Sequence, residues 1–172
     1  MDDLSVEFWR RMASQFGGPV LVLCCGQGGL AREIAALGLA VTGVDGDAAR
    51  IVVARGGRDD ELDVRWFEVD PCRLALPRRF GFVMLADDAF HGFLARGEQD
   101  ALLASVRRHL APEGVFGFDI QQRAGQSLAD DIEHLLEMAG LEIVAQYGDW
   151  DFGRVRRDSA RLITLCRLRP RA

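Results

Sequence analysis

The stretch VLVLCCGQGGLA, residues Val20 to Ala31, sets three glycines and two adjacent cysteines directly behind a short apolar run. An apolar run of this length ending at glycine reads as a buried strand, and the apolar residues after it, at helical spacing, read as a helix. Strand and helix joined by a tight turn form the opening unit of a layered α/β sheet. Gly26 and Gly28 can take backbone angles that other residues avoid and let a ligand approach the main chain, while the amides opening the helix offer donors. Glycine turns also serve geometry alone, so the remainder of the chain decides.

Working outward, strand-like runs alternate with helix-length segments. Strands are predicted at Pro19–Cys25, Leu39–Val44, Asp63–Val69, Phe80–Ala86 and Val115–Ile120. Helices are predicted at Leu30–Leu37, ended by Gly38, and through Ile51, Val52 and Ala54, capped by Asp47 and stopped by Gly56-Gly57. A further helix, Glu98–Leu110, carries Leu102, Leu103, Val106 and Leu110 on one face, and Pro112 with Gly114 makes the turn into the fifth strand. A last helix, about Leu128 to Ala139, ends at Gly140. Leu141–Tyr147 and Arg161–Leu168 then follow as two strands without a helix between them. The fold class is α/β: a doubly wound, Rossmann-like sheet, mostly parallel, with an antiparallel C-terminal strand pair at one edge.

The chain has 172 residues, 49% of them apolar, which suits a single domain over residues 1–172. Its N-terminal part, 1–18, reads as helical. The longest apolar runs fall far short of the roughly 20 residues that cross a bilayer, so no membrane is expected. With neither a basic leader nor an apolar signal core at the N-terminus, the expected compartment is the cytoplasm. Cys24, Cys25, Cys72 and Cys166 lack the paired spacings of a zinc site and read as small apolar residues, and no metal is expected.

Net charge is −5, and all 21 basic residues are arginine. The pairs Arg10-Arg11, Arg78-Arg79, Arg107-Arg108 and Arg156-Arg157 are scattered and read as solvated faces. An acidic balance argues against a nucleic-acid partner.

In such sheets ligands bind outside the carboxyl ends of the strands, at the point where strand order reverses. Asp45 ends the second strand about twenty residues after Gly26, where a carboxylate can accept both hydroxyls of a ribose. Asp70 closes the third strand before Pro71, either to accept from an adenine amino group or to cap a turn. The run Gly26 to Ala31 also satisfies G-x-G-x-x-A, so the motif alone leaves open an NAD(P)-dependent oxidoreductase. The shortness of the chain and the closing strands weigh against a dinucleotide enzyme, which normally carries a second half-sheet and a substrate domain.

Taken in order, VLVLCCGQGGLA, VTGVDGD, FEVDPCRLAL, FGFVMLADDAFHGF, LLASVRRHLAPEGVFGFDI and LLEMAGLEIVAQYGDWDFGRVRRDSARLITLCR cover most of Pro19 to Arg167. This series resembles the class I S-adenosylmethionine-dependent methyltransferases, especially their small-molecule branch. The resemblance implies S-adenosyl-L-methionine as cofactor and a small-molecule methyl acceptor. It implies that residues 19–120 form the cofactor-binding core and 121–172 the last helix and closing strands. It places Cys25, Gly26, Gln27 and Gly28 around the methionine part and ribose, Asp45 on the ribose hydroxyls, Gly46 and Asp47 beside it, and Asp70, Pro71 and Cys72 at the adenine. Ala86 to His91 would line the path from methyl group to acceptor.

Three features depart from that pattern. Val22 stands where the family usually has an acidic residue, and Cys24 replaces the first motif glycine. A substrate-covering segment is also missing between the fifth strand and the last helix, where Gln121 to Gly125 runs directly into Leu128. The acceptor site is then open unless the N-terminal segment, with Phe8, Trp9 and Met12, a second copy of the chain or a partner subunit covers it. These departures keep a second reading in view, a methyltransferase fold that has lost catalysis and serves as a binding or regulatory subunit.

For a hydroxyl acceptor a base must take the proton. His91 is the candidate, with Asp87 and Asp88 as alternatives, although His91 reads equally as a polar residue before Gly92. His109 reads as a partner of helix-end carbonyls and His134 as a solvated face. Trp150 and Phe152 read as packing residues.

Overall fold

The computed structural model describes residues 2–122 and 129–170. Their elements run α1 (Asp3–Phe16), β1 (Val20–Leu23), α2 (Gly29–Ala35), β2 (Val41–Asp45), α3 (Ala48–Arg55), β3 (Val64–Glu68), β4 (Phe80–Leu85), α4 (Arg96–His109), β5 (Leu110–Gln121), α5 (Ala129–Met138), β6 (Leu141–Tyr147) and β7 (Arg161–Leu168). The strands form one sheet in the order β3-β2-β1-β4-β5-β7-β6. All neighbours are parallel except where β7 inserts antiparallel between β5 and β6. The order reverses between β1 and β4, which places the glycine turn after β1 at the switch point.

Alternation along β1 divides the core. Val20 and Val22 face the layer of α1, α2 and α3, where Phe8, Trp9, Met12, Ile34 and Ile51 are buried, while Leu21 and Leu23 face α4 and α5 over Leu102, Leu103, Val106, Leu135 and Leu136. Phe8, Trp9 and Met12 are thus core residues. Trp150 and Phe152 join them: the Phe8 ring lies 5.5 Å from Trp150 and 4.7 Å from Phe152. Among the described residues no helix is long and apolar enough to cross a membrane.

Several boundaries differ from the sequence reading for local reasons. The first strand stops at Leu23, because Cys24 takes φ +51 and turns the chain. The expected turn at Pro112 and Gly114 is instead an irregularity within β5, whose pairing jumps from Phe80–Leu110 to Phe82–Val115. Glycine is needed there, since a Cβ on Gly114 would stand 2.7 Å from the Phe80 carbonyl oxygen. Leu128, expected to open the last helix, and the shortened connection at 123–128 lie outside the described residues.

Candidate functional site

The carboxyl ends of β1 and β4 border a cleft of about 660 Å³ whose wall includes Val22, Cys24, Cys25, Gly26, Gln27, Ala86 and Asp87. The glycine turn forms its rim, and two of its glycines do different work. Gly26, at φ +57, has open space where a Cβ would stand. At Gly28, φ +87, a Cβ would meet the Trp66 ring at 2.5 Å and Arg32 at 2.9 Å. Gly26 leaves the backbone accessible from the cleft, whereas Gly28 makes room for packing beneath the turn. Trp66 is itself fixed by its Nε1, which donates to Asp59 at 2.9 Å, and by the Arg32 guanidinium over its ring.

Asp45 ties this turn to β2. Buried to 5% exposure, its Oδ2 accepts from the Gly26 amide at 2.8 Å and its Oδ1 from the Asp47 amide at 2.9 Å. Arg50 brings Nη1 to 3.9 Å from the same carboxylate. Two lone-pair positions remain in principle on an ionised carboxylate holding two donors. Asp47 caps α3 as expected, accepting from Ala49 at 2.9 Å.

Asp70 caps a 3-10 turn, Pro71–Arg73, by accepting from the Cys72 amide at 2.9 Å. A Cβ on Gly46 would lie 3.8 Å from the Asp70 Cα, so Asp45, Gly46 and Asp70 gather at adjoining strand ends. Asp45, Gly46, Asp70, Pro71 and Cys72 stand beside the cleft wall rather than in it. Burial, with Asp45 nearby, pushes the Cys24 and Cys25 thiols up to about 12, so both stay protonated and unreactive at neutral pH.

The candidate bases do not share one cavity: Asp87 lines the cleft, and His91, paired with Asp88, lines another groove. Asp87 and Asp88 take φ +63 and +60, a left-handed pair uncommon for residues with a side chain. Asp87 lines the cleft and also an adjoining pocket of about 400 Å³ with Ser5, Gln121, Trp150 and Arg161. The Asp88 carboxylate is a bracket: its Oδ1 accepts from the Gln121 amide at 2.7 Å and lies 2.6 Å from His91 Nδ1. His91, half exposed, lines a separate groove with Phe93, Ile132 and His134. His91, expected on the path from methyl group to acceptor, thus lines a groove other than the cleft that Asp87 borders.

Sequence reading missed Asp119 and Arg161. Asp119, in β5 and fully buried, accepts from the Asp88 amide at 3.1 Å and from Arg161 Nη1 at 2.6 Å, and its Oδ1 has no partner among the described residues. Burial outweighs Arg161 and pushes its carboxyl up to about 6. The Arg161 guanidinium lies 4.5 Å over the Trp150 ring. A charged residue inside each of two apolar strand runs, VFGFDI and RLITLC, is the available signal, but their register is not legible in a single chain. The cleft wall also holds Val6, Glu33 and Arg50, surface helix positions that no motif marks.

Residues 20–114, more than half of the chain, match the family described as a methyltransferase domain. The chain belongs to that family. Among solved structures it is similar to the CcbJ methyltransferase of Streptomyces caelestis, with TM-score 0.88 and 17% identity over 98% of this chain and 97% of that one. It is likewise similar to an S-adenosylmethionine-dependent methyltransferase of Clostridium acetobutylicum, with TM-score 0.87 and 17% identity over 99% and 93%. A third is the glycopeptide N-methyltransferase MtfA complexed with S-adenosylmethionine, with TM-score 0.81 and 21% identity over 96% and 88%. At these identities the likeness shows the fold, including its antiparallel β7. No curated protein matches the chain. Family membership sets aside the NAD(P)-dependent reading that the glycine motif had left open.

Proposed function

We propose that the chain binds S-adenosylmethionine in the cleft beside the glycine turn and transfers its methyl group to a small-molecule acceptor entering beside Asp87. The observation that carries this reading is the junction of Gly26, open to the cleft, with the buried Asp45 at the switch point of a methyltransferase-domain fold. The cleft volume of about 660 Å³ suits a nucleoside-sized ligand. The proposed cofactor residues are Cys25, Gly26, Gln27, Asp45, Gly46, Asp70, Pro71, Cys72 and Ala86, with Gly28 shaping the turn from below. Within one domain, residues 19–120 would hold the cofactor, and 1–18 with 121–172 would complete the acceptor side.

When bound, the cofactor would supply an electrophilic methyl group on a sulfonium. The chain's first task is orientation: holding an acceptor lone pair in line with the methyl carbon can supply roughly 7 to 11 kcal/mol. An acceptor hydroxyl or ammonium would also have to give up its proton on methylation. Asp87, which lines both the cleft and the adjoining pocket, would receive it. Asp88 and Asp119 hold the turn that presents Asp87.

One observation favours the binding-subunit reading. Val22, 3% exposed, gives the cleft floor a side chain that cannot pair with an ammonium group. Transfer of labelled methyl from S-adenosylmethionine to a panel of small hydroxyl and amine acceptors separates the two. The proposal predicts turnover by the chain alone, with kcat lowered at least about tenfold in Asp87→Asn and S-adenosylhomocysteine affinity unchanged. Ligand binding with no transfer to any acceptor would leave the binding-subunit reading standing instead.

A further inference from the structure

Five of the 21 arginines line one groove of about 600 Å³ at the end of the sheet opposite the glycine turn. Arg79 precedes β4, Arg107 and Arg108 lie in the last turn of α4, and Arg167 and Arg169 belong to the end of antiparallel β7 and the residues after it. The pairs Arg78-Arg79 and Arg107-Arg108, which read as solvated faces in the sequence, thus send three guanidinium groups to one place.

Their charge is only partly matched. Arg167 Nε donates to Glu142 at 2.6 Å and Arg169 Nη2 to Glu137 at 3.1 Å. Glu113 lines the groove and offsets one more positive charge. Five arginines less three glutamates leave two positive charges in a chain whose net charge is −5. Arg79 Nη1 donates to the neutral Leu110 carbonyl at 2.8 Å, which orients the group without discharging it. Arg107 and Arg108 form no hydrogen bond or ion pair with a described residue, and the α4 C-terminus they flank carries only about half a negative charge.

We infer that this groove binds a phosphate-bearing anion, a phosphate monoester or diphosphate, at a site separate from the cleft. A phosphate monoester carries about −1.5 to −2 charges at neutral pH and three acceptor oxygens. That matches the surplus of two, whereas a single carboxylate leaves one guanidinium unanswered. Guanidinium forks arriving from different elements suit a tetrahedral anion that accepts from several directions. The inference is independent of the methyl-transfer reading, since none of these arginines lines the cleft.

The test is calorimetric titration of the full chain with pyrophosphate and, separately, with a short single-stranded uridine oligonucleotide, each at low and high salt. We expect one saturable pyrophosphate site that weakens with salt and loses at least about tenfold in affinity in the Arg107→Ala, Arg108→Ala double variant. The Arg156→Ala, Arg157→Ala control should bind as the parent does, and both should keep their affinity for S-adenosylhomocysteine. Should the first double variant fail to fold, Arg79→Gln gives the same readout. No saturable heat with either probe, or equal weakening by both arginine pairs, overturns the inference. Oligonucleotide binding tighter than pyrophosphate with a steep salt dependence also overturns it, since the groove then answers to a diester backbone; the reverse order supports it.

Discussion

At Gly28 and Gly26 the same residue type answers to different forces, and substitution separates them. In Gly28→Ala a side chain forced into the left-handed region also collides with Trp66. Strain and overpacking together should cost about 2 to 4 kcal/mol, read as a lowered midpoint in urea. Gly26→Ala meets no neighbour, so only the backbone term applies, about 1 kcal/mol, while affinity for S-adenosylhomocysteine should fall. Equal destabilisation by the two would contradict the division of labour. Sequence reading grouped both glycines as ligand contacts, because the partner that distinguishes them, Trp66, lies in another strand. The same limit applies to the turn after β4: nothing in ADDAFHG announces that Asp87 and Asp88 both adopt positive φ.

Between elements, the antiparallel contact of β5 with β7 carries a buried ion pair whose stability depends on pH. Asp119 titrates near 6 in the folded chain against 3.8 for an ordinary aspartate, so the folded state binds the extra proton between about pH 4 and 6. Its contribution is therefore most favourable below about pH 4 and declines as pH rises through 6, by roughly 3 kcal/mol at most. The difference in unfolding free energy between the parent and Asp119→Asn should trace that decline between pH 4 and 7. A flat difference would show the carboxylate to be ionised throughout. α1 contributes differently, through burial. Trp9→Ala, which empties a fully buried site against Phe8 and Phe82, should cost about 3 to 5 kcal/mol, seen as a large fall in Tm. Helices and parallel strands were legible because apolar periodicity reports them locally. The irregularity at Ala111 to Gly114 and the Asp119–Arg161 pair were not, because each depends on a neighbour distant in the chain.

For the molecule as a whole, the order of motifs was more informative than any one of them. VLVLCCGQGGLA is compatible with two cofactors; followed by VTGVDGD and closed by two strands without an intervening helix, it matches the observed sheet and the methyltransferase domain. Three-dimensional charge distribution was hidden, since scattered arginines in sequence become a groove only once β4, α4 and β7 meet. The two ends of the sheet thus differ, with the cleft at the switch point and the cationic groove opposite it. The central claim concerns the first, and calorimetric titration with S-adenosylhomocysteine tests it most directly, with NADH as control and Asp45→Asn as the paired variant. We predict one saturable site for S-adenosylhomocysteine, none for NADH, and at least about tenfold weaker binding in Asp45→Asn, as loss of a charged acceptor implies. Absence of binding at millimolar ligand by the folded parent, or affinity unaltered by Asp45→Asn, would contradict the account.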